Sequence, residues 1–207
     1  MSLSAESIMS AAFRASIARE GLTMERWKEE SQRDLLDCGI FMAKERRMAG
    51  PHGKTGRFVV LDAPDWAVVV PVLERDGKRY LVTVDQYRHG ADELCTEFPG
   101  GVVEPGEDPA VAAARELLEE TGYKAATISL AGDCWPNPAF MSNRFHVYVA
   151  EGLELVSAQS LDEHEIVDVD VTPEDEVLAA VGLPPWSHAL MATAAWYYTR
   201  WLSLRSA

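Results

Sequence analysis

Cysteine is scarce in this 207-residue sequence, and its placement argues against two kinds of site. The three cysteines are odd in number, far apart and never spaced as CxxC: Cys38, Cys95 and Cys134. A zinc site or a disulfide framework would need paired or closely spaced cysteines, so neither is expected. Reduced thiols are typical of the cytoplasm, which is where we expect the protein to reside.

Positive charge is also in short supply. The sequence has 19 basic residues against 33 acidic ones, a net charge of −14 at pH 7, so it is not expected to coat nucleic acid. It can still bind an anionic small molecule if metal ions and a few local arginines reverse the charge at one site. No apolar run is long enough to span a bilayer and no basic segment precedes one, so we expect no membrane partner.

The most informative segment runs from Gly101 to Tyr123 and reads GVVEPGEDPAVAAARELLEETGY. Asp108 is a good N-cap, and Pro109 suits the first helical position, where a missing N–H costs nothing. Strong helix formers follow, and Gly122 stands where a glycine commonly ends a helix. The segment therefore predicts a glycine-rich loop, a short helix and a turn.

Three carboxylates recur on this predicted helix at the spacing i, i+3 and i+4: Glu116, Glu119 and Glu120. The spacing places them on one face within one turn, where like charges repel. A solvated acidic face would explain the pattern, since charged residues are mostly exposed. A divalent cation would explain it as well, because Mg²⁺ prefers carboxylate and phosphate oxygens, and Arg115 adds a compensating charge.

The glutamates belong to a longer pattern of seven fixed identities: Gly101, Glu107, Arg115, Glu116, Glu119, Glu120 and Gly122. Such a match arises by chance in a chain of this length less than about once in a million, which disfavours the solvated face. The pattern resembles the Nudix box of hydrolases that cleave a nucleoside diphosphate linked to another moiety. Tyr123 replaces the usual aliphatic residue at the last position, where we expect only packing.

The rest of the chain predicts an α/β domain with an N-terminal extension. Residues 4–20 predict an amphipathic helix, a highly charged stretch holds Trp27, and residues 38–60 predict a hairpin. Strands are predicted over five further segments: 66–73, 79–84, 124–130, 144–150 and 166–171. The resemblance implies a Nudix-type α/β/α sandwich with a mixed sheet over residues 61–207. Residues 1–60 then form an extension that either packs on its own core or exchanges across a dimer.

Two groups of residues are expected to have no catalytic or metal-binding role. An apolar stripe with aromatics on the last predicted helix indicates core or dimer contact: Leu190, Ala194, Tyr198 and Trp201. The five histidines show no ligand spacing and are interpreted as structural or exposed: His52, His89, His146, His164 and His188.

Four features outside the box resemble the ADP-ribose pyrophosphatase branch of Nudix enzymes. They are QYR at residues 86–88, EFPGG at residues 97–101, a proline about fifteen residues past the box at Pro138, and the acidic segment LDEHE at residues 161–165. The resemblance implies contacts to the substrate from three residues: Arg88, Glu97 and Pro138. It places Arg88 at the substrate phosphate, although a surface position with a buried stem would also suit an arginine.

The resemblance also implies a metal site formed by four residues: the Gly100 carbonyl, Glu116, Glu120 and Glu165. It implies catalytic roles for three more: Glu163 as the base, Glu119 as a metal ligand or water-orienting partner, and Arg115 as the residue that aims a box glutamate. The roles of Glu163 and Glu165 are interchangeable at this stage, and an exposed acidic loop would explain both.

The function that the resemblance implies is Mg²⁺-dependent hydrolysis of the pyrophosphate in a nucleoside diphosphate sugar, with Mn²⁺ as a substitute ion. The leading substrate is ADP-ribose, which gives AMP and ribose 5-phosphate, and the expected assembly is a homodimer. GDP-mannose or another nucleotide sugar is the alternative substrate. A non-catalytic nucleotide-binding sensor is the alternative of a different class, although a sensor is expected to have lost box glutamates that this sequence keeps.

Overall fold

The structure, a computed structural model, describes residues 25–163 and 165–205. The helix predicted over residues 4–20 lies outside this part of the chain. The chain divides into two compact units, one made of the residues up to Arg33 with Glu45–Phe58, the other of Asp34–Lys44 and Val59–Ala207. Within the described residues, no helix combines the length and the apolar character needed to cross a membrane.

The N-terminal extension contains a three-stranded sheet in the order β1 (Lys28–Asp37), β2 (Met42–Ala49) and β3 (Thr55–Asp62). A 3-10 helix, Pro51–Gly53, lies between β2 and β3, where the sequence indicates a turn. The charged stretch after Trp27 forms β1, a strand that periodicity did not indicate because all ten of its residues are exposed. Ion pairs link its charged side chains to β2: Glu29 with Arg46, Glu30 with Arg47, and Arg33 with Glu45.

The larger unit is built from nine further strands: β4 (Trp66–Arg75), β5 (Lys78–Arg88), β6 (Glu93–Glu97), β7 (Gly100–Val102), β8 (Tyr123–Lys124), β9 (Thr127–Cys134), β10 (Phe145–Glu151), β11 (Glu154–Leu155) and β12 (Val167–Pro173). Seven of them form one sheet in the order β12-β5-β4-β10-β9, with β6 paired to β5 and β7 paired to β4. β10 runs parallel to β4 while the other pairs are antiparallel, so the predicted mixed sheet is confirmed.

β4 and β5 pair along only part of their length. Val72–Arg75 of β4 face Lys78–Leu81 of β5, and beyond this point β5 pairs with β6 while the start of β4 pairs with β7. The segment from Glu97 to Gly100 crosses between the two strands, and the Val69 N–H donates to the Pro99 carbonyl at 2.9 Å. The separation of the two strands therefore places EFPGG near the centre of the sheet.

Helices cover both faces of this sheet: α1 (Pro109–Thr121), α2 (Glu174–Ala180) and α3 (Ala189–Arg205). Alternate residues of β4 enter two separate hydrophobic clusters, since Val69 packs in the cluster that holds α1 residues and Val70 in the cluster that holds α2 and α3 residues. The predicted α/β/α sandwich is thus confirmed. Ala194 and Tyr198 on α3 are fully buried, which assigns the predicted aromatic stripe to the core.

Candidate active site

Two glycines bring the backbone of β7 into close contact with its neighbours. A Cβ atom on Gly100 would lie 2.5 Å from the carbonyl oxygen of Ala67, and one on Gly101 would overlap the carboxylate of Glu116. Glycine is therefore required at position 100, where a side chain would meet the backbone of β4, whereas a side chain at position 101 would displace the Glu116 carboxylate. As a result the Glu116 carboxylate lies directly against the β7 backbone.

Helix α1 begins and ends where the sequence predicts. The Asp108 carboxylate accepts a hydrogen bond from the Ala110 N–H at 2.8 Å, and Gly122 ends the helix in the left-handed region with φ of 73°. Leu117 and Glu120 lie on the buried face of the helix. Both ends of α1 are therefore fixed, and the helix packs with one of its three glutamates, Glu120, turned inward.

Arg115 connects the carboxylates of the box. Its guanidinium donates to both oxygens of Glu107 at 3.1 Å, to Glu116 at 2.8 Å and to Glu119 at 3.1 Å. It also donates to the Val102 carbonyl at 3.1 Å, which ties α1 to β7. The hydrogen bond to Glu107, followed by those to the other glutamates, holds the pKa of Arg115 above its usual value. The guanidinium thus fixes the orientation of Glu116 through its Oε1.

Glu120 is the most buried acid of the site, with only 2% of its surface exposed. Its Oε2 accepts a hydrogen bond from the Gly100 N–H at 3.0 Å. Burial, and next the negative charge of Glu116, raise the pKa of Glu120 to about 8, and burial also raises the pKa of Glu116. The site therefore concentrates negative charge in a place where water stabilises it poorly.

The donor atoms of the site fit a hard divalent cation. In the described ranges, 25–163 and 165–205, no group of three or more His, Cys, Asp or Glu side chains gathers closely enough to hold a metal ion unaided. Mg²⁺, however, is commonly bound by one or two carboxylates and completes its shell with water and substrate phosphates. In such a site Glu116 and Glu120 would supply carboxylate oxygens and Gly100 a carbonyl oxygen. A cation there would offset the burial and the repulsion between carboxylates that together raise the pKa values of Glu116 and Glu120.

The acidic loop places one of its two glutamates within electrostatic reach of the box. The negative charge of Glu165 contributes to the raised pKa values of Glu116 and Glu120. The Glu165 N–H donates to the Asp162 carbonyl at 3.0 Å, and the Asp162 N–H donates to the Glu165 carboxylate at 3.2 Å, so this turn is closed on itself. Glu163 is exposed in the same turn, and both loop assignments stay predictions.

Arg88 and Glu97 form a bidentate ion pair, and Glu97 is the first residue of the segment that crosses between β4 and β5. Arg88 Nε donates to Glu97 Oε1 at 2.8 Å and Nη2 to Oε2 at 2.7 Å. His188 Nδ1 lies 3.1 Å from the same Oε2. Burial by itself raises the pKa of Glu97, but the hydrogen bonds from Arg88 and His188 outweigh it and bring the pKa to about 2. Glu97 is therefore a permanent carboxylate that holds Arg88 in place.

Pro138 and His188 lie in two different turns of the structure, and the assignment of Pro138 to the substrate stays a prediction. Pro138 lies in an exposed turn in which the Met141 N–H donates to the Asn137 carbonyl at 2.8 Å, and the described hydrogen bonds join this turn to β3 rather than to α1. His188, by contrast, reaches the site from the start of α3. No signal in the sequence could have identified it, because its partner Glu97 precedes it by 91 residues.

The chain belongs to the Nudix family. The profile of the NUDIX domain matches residues 63–193, which contain the glycine-rich loop, α1 and the sheet around them. A crystal structure of an ADP compounds hydrolase superposes with a TM-score of 0.76, covers 87% of this chain and 96% of its own, and at 20% identity supports the fold. The family match and the box geometry identify the protein as a Nudix hydrolase.

Three curated relatives align with about three fifths of this chain. A methanol dehydrogenase activator of Bacillus methanolicus is 38% identical over 129 residues, which cover 62% of this chain and 68% of that protein. An ADP-ribose pyrophosphatase of Bacillus subtilis is 36% identical over 127 residues, 60% of this chain and 67% of that protein. A CMP-5'-(N-acetyl-N-hydroxy-3-aminopropyl)phosphonate hydrolase of Streptomyces rubellomurinus is 30% identical over 131 residues, 63% of this chain and 62% of that protein.

Proposed function

We propose that this Nudix hydrolase cleaves the pyrophosphate of a nucleoside diphosphate sugar with Mg²⁺, and that ADP-ribose is its substrate, giving AMP and ribose 5-phosphate. The observation that carries the proposal is the pair formed by the half-buried Glu116 and the buried Glu120, held by Arg115 and the Gly100 N–H, with Arg88 within electrostatic reach of Glu120. The pyrophosphatase of Bacillus subtilis, with 36% identity, supports the choice of ADP-ribose.

Each group has a definite task in this reaction. Glu116, Glu120 and the Gly100 carbonyl would hold the divalent ion, which when bound neutralises the diphosphate and stabilises charge in the transition state. Arg88 would bind a phosphate oxygen. A loop carboxylate, Glu163 or Glu165, would accept the proton of the attacking water. The water oxygen forms a new bond to phosphorus while the bridging P–O bond breaks, so each product carries one phosphate.

The direct test is an assay of hydrolysis on a panel of nucleotide sugars with Mg²⁺ or Mn²⁺, with the products identified by mass. The proposal expects ADP-ribose to give AMP and ribose 5-phosphate, and expects turnover to disappear after exhaustive chelation and to return with Mg²⁺. A preference for GDP-mannose would change the substrate but keep the chemistry. Binding of ADP-ribose without any turnover would show a sensor, and turnover after chelation would contradict the metal site.

We further propose that the protein is a cytoplasmic homodimer in which residues 1–60 act as an arm. Large apolar side chains of the described extension are exposed and could be covered by a second copy: Leu35, Leu36, Ile40, Phe58 and Val59. Cys38, Cys95 and Cys134 are free thiols, as suits a reducing compartment. Light scattering on the purified protein tests the assembly, since a monomer at micromolar concentration would refute it.

A further inference from the structure

The carboxylate of Glu97 serves two donors at once. Its Oε2 accepts from Arg88 Nη2 at 2.7 Å and lies 3.1 Å from His188 Nδ1, while Oε1 accepts from Arg88 Nε at 2.8 Å. Glu97 is 6% exposed, so water cannot readily replace a lost donor. His188 is therefore a further donor to the carboxylate that binds the Arg88 guanidinium through both of its oxygens.

His188 is held in position by the turn that precedes α3. The Thr96 N–H, next to Glu97 on β6, donates to the Pro185 carbonyl at 3.2 Å. The Gly182 N–H donates to the Trp186 carbonyl at 2.9 Å, and the Trp186 ring packs against the core. The histidine thus approaches Glu97 from a turn that is tied both to β6 and to the hydrophobic core.

The chemistry of the contact fixes the proton on one ring nitrogen. An ionised carboxylate can only accept hydrogen bonds, so Nδ1 of His188 must carry a proton in either charge state of the ring. The contact therefore persists in the neutral imidazole, in which Nε2 is then the unprotonated nitrogen.

We propose that His188 is a positioning residue for substrate binding: it orients Glu97, and Glu97 presents the Arg88 guanidinium to a phosphate of the substrate. The proposal rests on the phosphate-binding role of Arg88 in the proposed function. It adds that the turn before the last helix, which lies outside the Nudix box, sets the affinity of the site for the diphosphate.

The test compares two substitutions of His188. Phenylalanine keeps the ring but removes the donor, and should raise KM about 10-fold while kcat changes less than about 2-fold, because a contact made equally in ground and transition states affects binding alone. Asparagine places an amide N–H near the position of Nδ1, and should restore KM to within about 3-fold of wild type. His89→Phe is the matched control, since His89 is an exposed histidine next to Arg88 and should keep wild-type kinetics.

Binding of inorganic pyrophosphate, measured by calorimetry, separates this proposal from the proposed function. If the wild type hydrolyses none of the nucleotide sugars, the proposed function is wrong, but His188→Phe should still weaken pyrophosphate binding about 10-fold. A KM and a pyrophosphate Kd within about 2-fold of wild type would overturn the positioning role, as would equal losses in the two variants. If His188→Phe does not fold, ¹⁵N NMR of the wild type decides, because an unprotonated Nδ1 would also overturn it.

Discussion

Replacement of Glu97 by glutamine removes the charge that Arg88 and His188 share, and the structure allows the effect to be worked out. The pKa of Glu97 is about 2 in the folded protein against an ordinary value of 4.5, a difference of about 2.5. Each pKa unit corresponds to about 1.4 kcal/mol, so the ionised carboxylate contributes about 3.5 kcal/mol to the free energy of unfolding at pH 7. The Glu97→Gln variant should therefore be less stable by about this amount.

The pH dependence separates this charge effect from a loss of packing. The folded pKa is depressed, so the stabilisation is fully present above about pH 4.5 and is lost as the pH falls through about 2. The stability difference between wild type and variant should shrink to less than half between pH 7 and pH 3. At neutral pH the variant should melt about 7–14 °C lower, given the size of the protein.

Urea unfolding at pH 7, 4.5 and 3 measures the difference. Glu93→Gln is the matched control, because Glu93 is an exposed residue of the same strand and the chemical change is identical. The control should stay within about 0.5 kcal/mol of wild type at every pH. A difference for Glu97→Gln that is the same at pH 7 and pH 3, or that is no larger than that of the control, would refute the assignment of the stability to the ion pair.

Three further predictions concern the box glutamates, the acidic loop and the N-terminal extension. Glu116→Gln and Glu120→Gln should each lower both turnover and apparent Mg²⁺ affinity, with partial rescue at high Mg²⁺; kinetics against Mg²⁺ concentration test this, and unchanged Mg²⁺ affinity would contradict it. Glu163→Gln should lower kcat about 10²–10⁴-fold with substrate and metal affinity nearly intact, while Glu165→Gln should behave like the box variants. Near-wild-type turnover in both loop variants would move water activation to another carboxylate. Deletion of residues 1–60 should give a poorly soluble or weakly active protein, which a soluble, fully active truncation in gel filtration and assay would disprove.

The sequence predicts the centre of the site well because that part depends on local interactions. The cap at Asp108, the left-handed Gly122 and the helix formers between them fix the limits of α1 within one segment of chain. The spacing of Glu116, Glu119 and Glu120 then follows from helical geometry. Gly100 is equally local in its effect, since the close approach of the β4 backbone excludes a side chain there.

The charged strand β1 could not be predicted from the sequence pattern. Its residues carry no alternation because the whole strand is exposed, and its side chains are held by ion pairs to β2 that only the register of the two strands creates. Alternation of apolar and polar residues identifies a strand only when one face of the strand is buried, and β1 has no buried face.

Tertiary structure also decided which acid of α1 is buried. The three glutamates of α1 are equivalent in the sequence, but only the packing of α1 on the sheet buries Glu120, and burial raises its pKa. The separation of β4 from β5 makes room for Glu97, and the turn before α3 brings His188 to it from 91 residues away. Local propensity cannot encode such contacts, because they form only when distant segments pack together. Burial and hydrogen bonding at these contacts then set the pKa values of Glu97 and Glu120.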